Sequence, residues 1–359
     1  MHFRNLIFFF FIFLTSCAEK DNIHQYKDYI FGTIVDIKIH GETEQKSKKI
    51  ANLIFDDFQR LHNYLHPWKE SLITEMNSTF LKEGEFFVDD DEIIRIIQQN
   101  KDLAESSNNY FNPAIGKLIA LWGFHSENSN QSIPSSSKID DFISDLPHMS
   151  NLTITNNTIT SSNKNFQLDL GGYAKGYALD RAKVILENNN VHNALINIGG
   201  NIIAIGNRGK RNWIVGIQHT RKPSAVASIN LLPGWSIGTS GDYQRYFMIN
   251  KNRYSHLIDP NSGYPANNSQ SVTILIPPSA NSGVLSDVYS KPLFIAPKEI
   301  KIELAKKLLI DFYMIILNDG QIMISDSMNE SINWVDLKNE EIITAVSYTH
   351  LTLPTNVAV

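Results

Sequence analysis

The chain has 359 residues, of which 42% are hydrophobic and 19% charged, and a formal charge of −5. That length holds one large domain or two ordinary ones of common globular composition. The small negative charge gives no bulk attraction to nucleic acid or anionic lipid, so partners must be recognised at specific sites. The sole cysteine, Cys17, excludes an intramolecular disulfide and a zinc site built from thiolates.

The amino terminus reads as a lipoprotein signal. Arg4 is followed by an apolar run from Leu6 to Leu14, too short to cross a bilayer as a helix. Leu14-Thr15-Ser16-Cys17 then marks cleavage before Cys17 and a lipid on its sulfur. This predicts a signal peptide over 1–16, a polar tether over 17–28, and attachment to the periplasmic side of the bacterial inner membrane.

From Ile34 to His40 the sequence alternates as a half-buried strand does. Glu44 to Leu65 carries a helical stripe of Ile50, Leu53, Ile54, Phe58, Leu61 and Leu65. A second helix is predicted over Asp90 to Asn108, and Asn112-Pro113 follows as a break. Residues 127–137 are rich in Ser, Asn and Gln and read as a surface loop. Residues 151–159 are strand-like. Phe166 to Leu170 reads as a strand, Gly171-Gly172 as a turn and Tyr173 to Asn188 as a helix.

Strands follow at 194–198, 202–205, 213–218, 225–231, 254–258 and 272–276. Residues 287–295 give a mixed signal, and 300–310 an amphipathic helix. Residues 347–359 resemble translated adapter sequence and are read as a non-native tail. Helices together with many non-alternating strands favour an α+β fold, with one domain over 29–346.

Four segments carry candidate chemistry. In Asp169-Leu170-Gly171-Gly172-Tyr173-Ala174-Lys175-Gly176 the glycine pair admits close backbone approach by a ligand. The helix N-terminus behind it, with Lys175 one turn in, suits a phosphate. Asn197-Ile198-Gly199-Gly200 reads as a tight turn between strands. Thr239-Ser240-Gly241-Asp242-Tyr243 precedes Tyr254-Ser255-His256-Leu257-Ile258-Asp259-Pro260, where His256 and Asp259 are candidates for acid/base work. Finally, Asp287 and Ser290 place two oxygen donors three residues apart, as hard cations prefer.

Together these segments resemble the ApbE family of FAD:protein FMN transferases. Phe111-Asn112-Pro113-Ala114, Leu121-Trp122-Gly123-Phe124, and Trp68 with Ser71, Ile73 and Asn77 match as well. The resemblance implies an ApbE-like, T-fold-type domain with mixed or antiparallel sheets and packed helices. It implies transfer of the FMN half of FAD to a Thr or Ser hydroxyl, with Mg²⁺ and release of AMP. It also implies an acceptor among the flavoprotein subunits of membrane redox complexes.

Carried onto this chain, Phe31, Trp68, Asn112, Pro113, Ala114, Asp169, Lys175 and Ile258 are the expected FAD contacts. Gly172 (through its carbonyl), Asp287, Ser290 and Lys291 form the expected metal region, and His256 and Asp287 are the candidate catalytic residues. Phe31 stands for the usual Met, Asn112 for the usual Asp, and Lys291 for a metal-binding Thr. A lysine ammonium has no lone pair for a metal. Lys291 is therefore expected to face the FAD phosphates, leaving Ser290 and water to complete the Mg²⁺ shell, or else to point away and leave the metal more weakly held; the charge of a pyrophosphate favours the first. An FAD hydrolase and a non-catalytic FAD-binding lipoprotein are the alternative readings.

Overall fold

The computed structural model of the protein describes residues 22–126 and 132–335 and the backbone of 343–346. Cys17, residues 127–131 of the polar loop and the tail at 347–359 lie outside the described residues.

The chain opens with a hairpin of β1 (Ile23–Ile30) and β2 (Thr33–His40), so residues 23–28 belong to a strand and not to a tether. The helices α1 (Glu44–Tyr64) and α2 (Leu72–Glu83) follow, then β3 (Glu85–Phe87), α3 (Asp91–Ser106), α4 (Gly116–Leu121) and α5 (Ser136–Ser144). After β4 (Leu152–Thr155) and β5 (Thr158–Ser161) comes α6 (Ala174–Asn188). The strands β6 (Ala194–Ile198), β7 (Asn201–Ile205), β8 (Trp213–Gln218), β9 (Ala225–Leu231) and β10 (Ser236–Gly241) form the middle. They lead to β11 (Tyr246–Ile249), β12 (Asn252–Ser255) and β13 (Ser269–Ile276). The last stretch holds α7 (Ser282–Ile295), α8 (Lys301–Lys307), β14 (Phe312–Leu317), β15 (Ile322–Ser325), α9 (Asp326–Ser331), β16 (Ile332–Trp334) and β17 (Ile343–Val346).

The main sheet runs in the order β1-β2-β6-β7-β10-β13-β14-β15-β17. Its neighbours are antiparallel apart from β15 and β17. This is the expected α+β fold with mixed sheets. Both faces of the sheet are covered. Ile196 and Ile198 of β6 join the core built with α1 and α6, whereas Leu195, just before them, joins the core under β8 and β9. Burial on both faces is why these strands do not alternate in polarity.

The helix α1 begins where the Thr43 hydroxyl accepts from the Lys46 N–H. It buries Ile50, Ile54, Phe58 and Leu61, each such side chain stabilising the fold by about 1.5–3 kcal/mol. Leu53 of the expected stripe is exposed. Among the described residues no helix is long and apolar enough to cross a membrane.

Three further expectations are corrected. Phe166 to Leu170 is not a ladder strand. It is an extended segment pinned by a parallel bridge between Ile115 and Gln167 and by the Asp169 N–H on the Pro113 carbonyl. Residues 287–295 are helical, within α7. The predicted helix over 300–310 shortens to a 3₁₀ turn at Lys298–Ile300 followed by α8.

Candidate active site

The site forms where α6, α7 and the strand β10 meet. Helices α6 and α7 touch through glycine. A Cβ on Gly176 would lie 2.6 Å from the Gly283 carbonyl and 2.8 Å from the Val284 Cα. Gly238 on β10 likewise leaves room for the Ser286 carbonyl, which a Cβ there would meet at 2.0 Å. These contacts carry Asp287 to the first turn of α6, where its Oδ2 accepts from the Gly176 N–H at 2.8 Å. The helix N-terminus thus already holds a carboxylate, which its dipole favours. The α7 start has no side-chain cap of its own. Asp180 of α6 supplies it, accepting from the Gly283 and Val284 N–H groups at 2.7 and 2.9 Å.

Lys291 lies four residues beyond Asp287, one helical turn on. Its ammonium folds back to 2.6 Å from both Asp287 Oδ1 and the Asp287 carbonyl oxygen. The pair is buried, with side-chain exposures of 2% for Asp287 and 12% for Lys291. Burial alone raises the Asp287 pKa, but Lys291 and Lys175 outweigh it and hold the carboxyl below its ordinary value. Ser290 donates to the Asp287 carbonyl at 2.8 Å and meets the Ser240 hydroxyl at 2.7 Å.

His256 follows β12 directly. Its Nδ1 lies 3.0 Å from the Arg245 carbonyl. A carbonyl only accepts, so Nδ1 carries the proton and Nε2 keeps its lone pair. Burial first, then the charge of Lys175, pushes the ring pKa down to about 3, so it is neutral at physiological pH. Asp259 does not pair with it. The Asp259 carboxylate closes its own turn, accepting from the Asn261 N–H at 2.9 Å. Asp242 is likewise turned aside, held by Arg221 at 2.7 Å and Arg253 at 3.0 Å.

The expected flavin contacts come from several separate segments. Phe31 sits at φ 56° in the β1–β2 turn beside Gly32 and meets His62 edge-on at 5.6 Å. Trp68 stacks on His125 at 5.2 Å, and the Arg245 guanidinium lies 5.1 Å over its ring. Arg245 also donates to the Phe124 carbonyl. Asp169 accepts from the Gly171 N–H at 2.7 Å and pairs with His125 Nε2 at 2.8 Å. Ile258 is buried beside Trp122 and Phe124.

Asn112 does not face outward: its amide donates to the Pro147 carbonyl at 2.9 Å and accepts from the Ala114 N–H. Asn77 makes a reciprocal pair with the backbone of Leu168, at 2.8 and 2.7 Å, and so fixes the segment leading into Gly171-Gly172.

Residues 31–314 match the model of the ApbE family. The chain belongs to the ApbE family. A relative from Rhodobacter capsulatus named FAD:protein FMN transferase is 32% identical over 308 residues; the match covers 86% of this chain and spans 58% of that relative's length. A relative of the same name from Klebsiella pneumoniae is 29% identical, covering 77% of this chain and 83% of its own. The ApbE protein from Thermotoga maritima superposes with a TM-score of 0.79 at 28% identity, over 86% of this chain and 99% of that one. A variant of the flavin transferase ApbE from Vibrio cholerae gives 0.73 at 25% identity over the same shares.

Mg²⁺ is the cation that the family resemblance implies, and these residues do not fit it as they stand. Asp287 has one carboxylate oxygen on Gly176 and the other, with its carbonyl, on the Lys291 ammonium. Mg²⁺ needs oxygen at about 2.0–2.1 Å in octahedral array, and an ammonium at 2.6 Å from two of those oxygens fills that place. Among the described residues no group of three His, Cys, Asp or Glu side chains is arranged to hold a metal. The sequence reading missed His125, Arg245 and Asp180. All three act across long sequence separations and lack a motif of their own.

Proposed function

We propose that this ApbE-family chain cuts FAD at its pyrophosphate and joins the FMN half to a Thr or Ser hydroxyl of an acceptor protein, releasing AMP. The observation that carries this reading is the cationic cluster of Lys175, Lys291 and Arg245 around His256. Such an excess of positive charge calls for an anion, and positioning with charge does most of the work in phosphoryl transfer. The acceptor oxygen attacks the phosphorus next to the riboflavin. The bond from that phosphorus to the bridging oxygen breaks, and AMP leaves with the electron pair. His256 takes the hydroxyl proton on Nε2, the ring nitrogen left unprotonated when Nδ1 donates to the Arg245 carbonyl. A Mg²⁺ ion on Asp287 would supply further charge, but it requires Lys291 to move out.

The motif ending at Cys17 supports a lipid-anchored enzyme outside the cytoplasm, which would meet acceptor subunits of membrane redox complexes there. Purified chain incubated with FAD and an acceptor carrying a target threonine tests the transferase reading. Acceptor gaining the mass of FMN less one water, with stoichiometric AMP, is expected. Free FMN with AMP would instead make it a hydrolase, and intact bound FAD a binding protein.

A further inference from the structure

We propose that Lys291 is the resident cation of this site, occupying the cation position of Asp287 so that FAD is bound without a divalent metal. The proposal rests on the flavin reading above for its ligand, but its core is a statement about the protein alone.

Three observations converge on it. First, the Lys291 ammonium bridges the two Asp287 oxygens, carboxylate and carbonyl, that a chelated cation would use, at 2.6 Å from each. Second, the surroundings are shaped for the lysine stem. A Cβ on Gly172 would sit 3.1 Å from Lys291 Cε, 3.3 Å from its Cδ and 3.3 Å from the Phe111 ring. The stem therefore passes directly under the glycine turn. Third, an ammonium has three donors. Two are spent on Asp287, and among the described residues the other has no protein partner.

Lys175 adds a second cation beside this one and makes no ion pair among the described residues. Its charge acts on Asp287, Lys291 and His256 alike. With one carboxylate against two ammonium charges, the cluster keeps net positive charge. A pyrophosphate cancels it, whereas a divalent cation would add to it at close range.

The test uses the full chain stripped of metal by a chelator. Mn²⁺ binding is followed by electron paramagnetic resonance, and FAD binding by calorimetry, in chelator and then in excess Mg²⁺. The parent is expected to leave Mn²⁺ free and to bind FAD equally well in both conditions. Lys291→Met keeps the stem and loses the charge, and should weaken FAD binding about ten-fold or more, the worth of a charge-assisted hydrogen bond. Lys291→Thr should gain a Mn²⁺ site and recover FAD affinity only when Mg²⁺ is present. Stoichiometric Mn²⁺ uptake by the parent, or loss of its FAD binding in chelator, overturns the proposal. If the parent binds no FAD in either condition, the flavin reading fails while the Mn²⁺ titration still decides what fills the Asp287 position. Should both variants misfold by circular dichroism, the two parent measurements decide alone.

Discussion

His256 is the residue whose chemistry the fold sets most strongly. The Arg245 carbonyl fixes its tautomer, and burial among cations keeps it neutral. His256→Asn can keep the bond to Arg245 but loses the basic ring nitrogen. It should slow transfer by about 10²–10⁴-fold, the range for general acid/base help, while FAD affinity holds; single-turnover kinetics beside calorimetry separate the two. The same residue leaves a mark on stability. Its folded pKa is lowered, so as pH falls from about 6.5 toward about 3 the unfolded chain takes up a proton that the folded chain refuses. Stability from this group is therefore present above pH 6.5 and lost across that window. Urea midpoints measured against pH should fall less steeply in His256→Asn, and equal slopes would remove the burial argument. Beside it, Asp287 and Lys291 are coupled. Asp287→Ala strands a buried ammonium and should cost about 3–5 kcal/mol. Adding Lys291→Met should restore part of that loss. Additive losses in a double-mutant cycle by urea unfolding would show that the pair contributes nothing jointly.

At the scale of elements, the site depends on how α6 and α7 cross. Gly176 and Gly283 let the two backbones touch, and Asp180 replaces the missing cap of α7 from the neighbouring helix. Burial raises the Asp180 pKa to about 7. The sign here is opposite to that of His256: stability from a raised carboxyl is fully present below its unfolded value near 3.9 and is lost as pH rises through about 7. Asp180→Asn removes that trend, yet an amide offers one oxygen to two N–H donors, so the variant should also be less stable at low pH by about 1–3 kcal/mol. Thermal melts between pH 4 and 8 check both points. A variant with the parent's pH slope would mean that the carboxyl titrates normally.

For the whole molecule, the site draws on segments from Phe31 to Lys291, so a ligand that binds there should stabilise the entire fold. By mass action a ligand at a hundred times its Kd adds about 2.7 kcal/mol. FAD should therefore raise the melting temperature clearly in chelator. Riboflavin, which lacks the phosphates that the cationic cluster would meet, should raise it far less. An equal shift from both would place the affinity in aromatic contacts such as Phe31 and Trp68 and not in Lys175 and Lys291.

The sequence by itself determined the family, the main helices and the segments that supply the site. Period, glycine pairs and motif spacing are local properties, and α1, α3, α6 and the strands from β6 to β9 follow from them. Local signals were mixed over α7, because its cap, Asp180, lies about a hundred residues away in the chain. The apparent strand at 166–170 misled for the same reason: its backbone partners, Pro113 to Gly116, are held in place by the fold and not by a ladder. Tertiary structure alone showed that Asp259 and Asp242 are engaged elsewhere, that Asn112 braces a loop, and that Lys291 closes onto Asp287. Whether a charged group serves a ligand or its neighbours depends on which partner comes within hydrogen-bond reach, and only packing sets that distance.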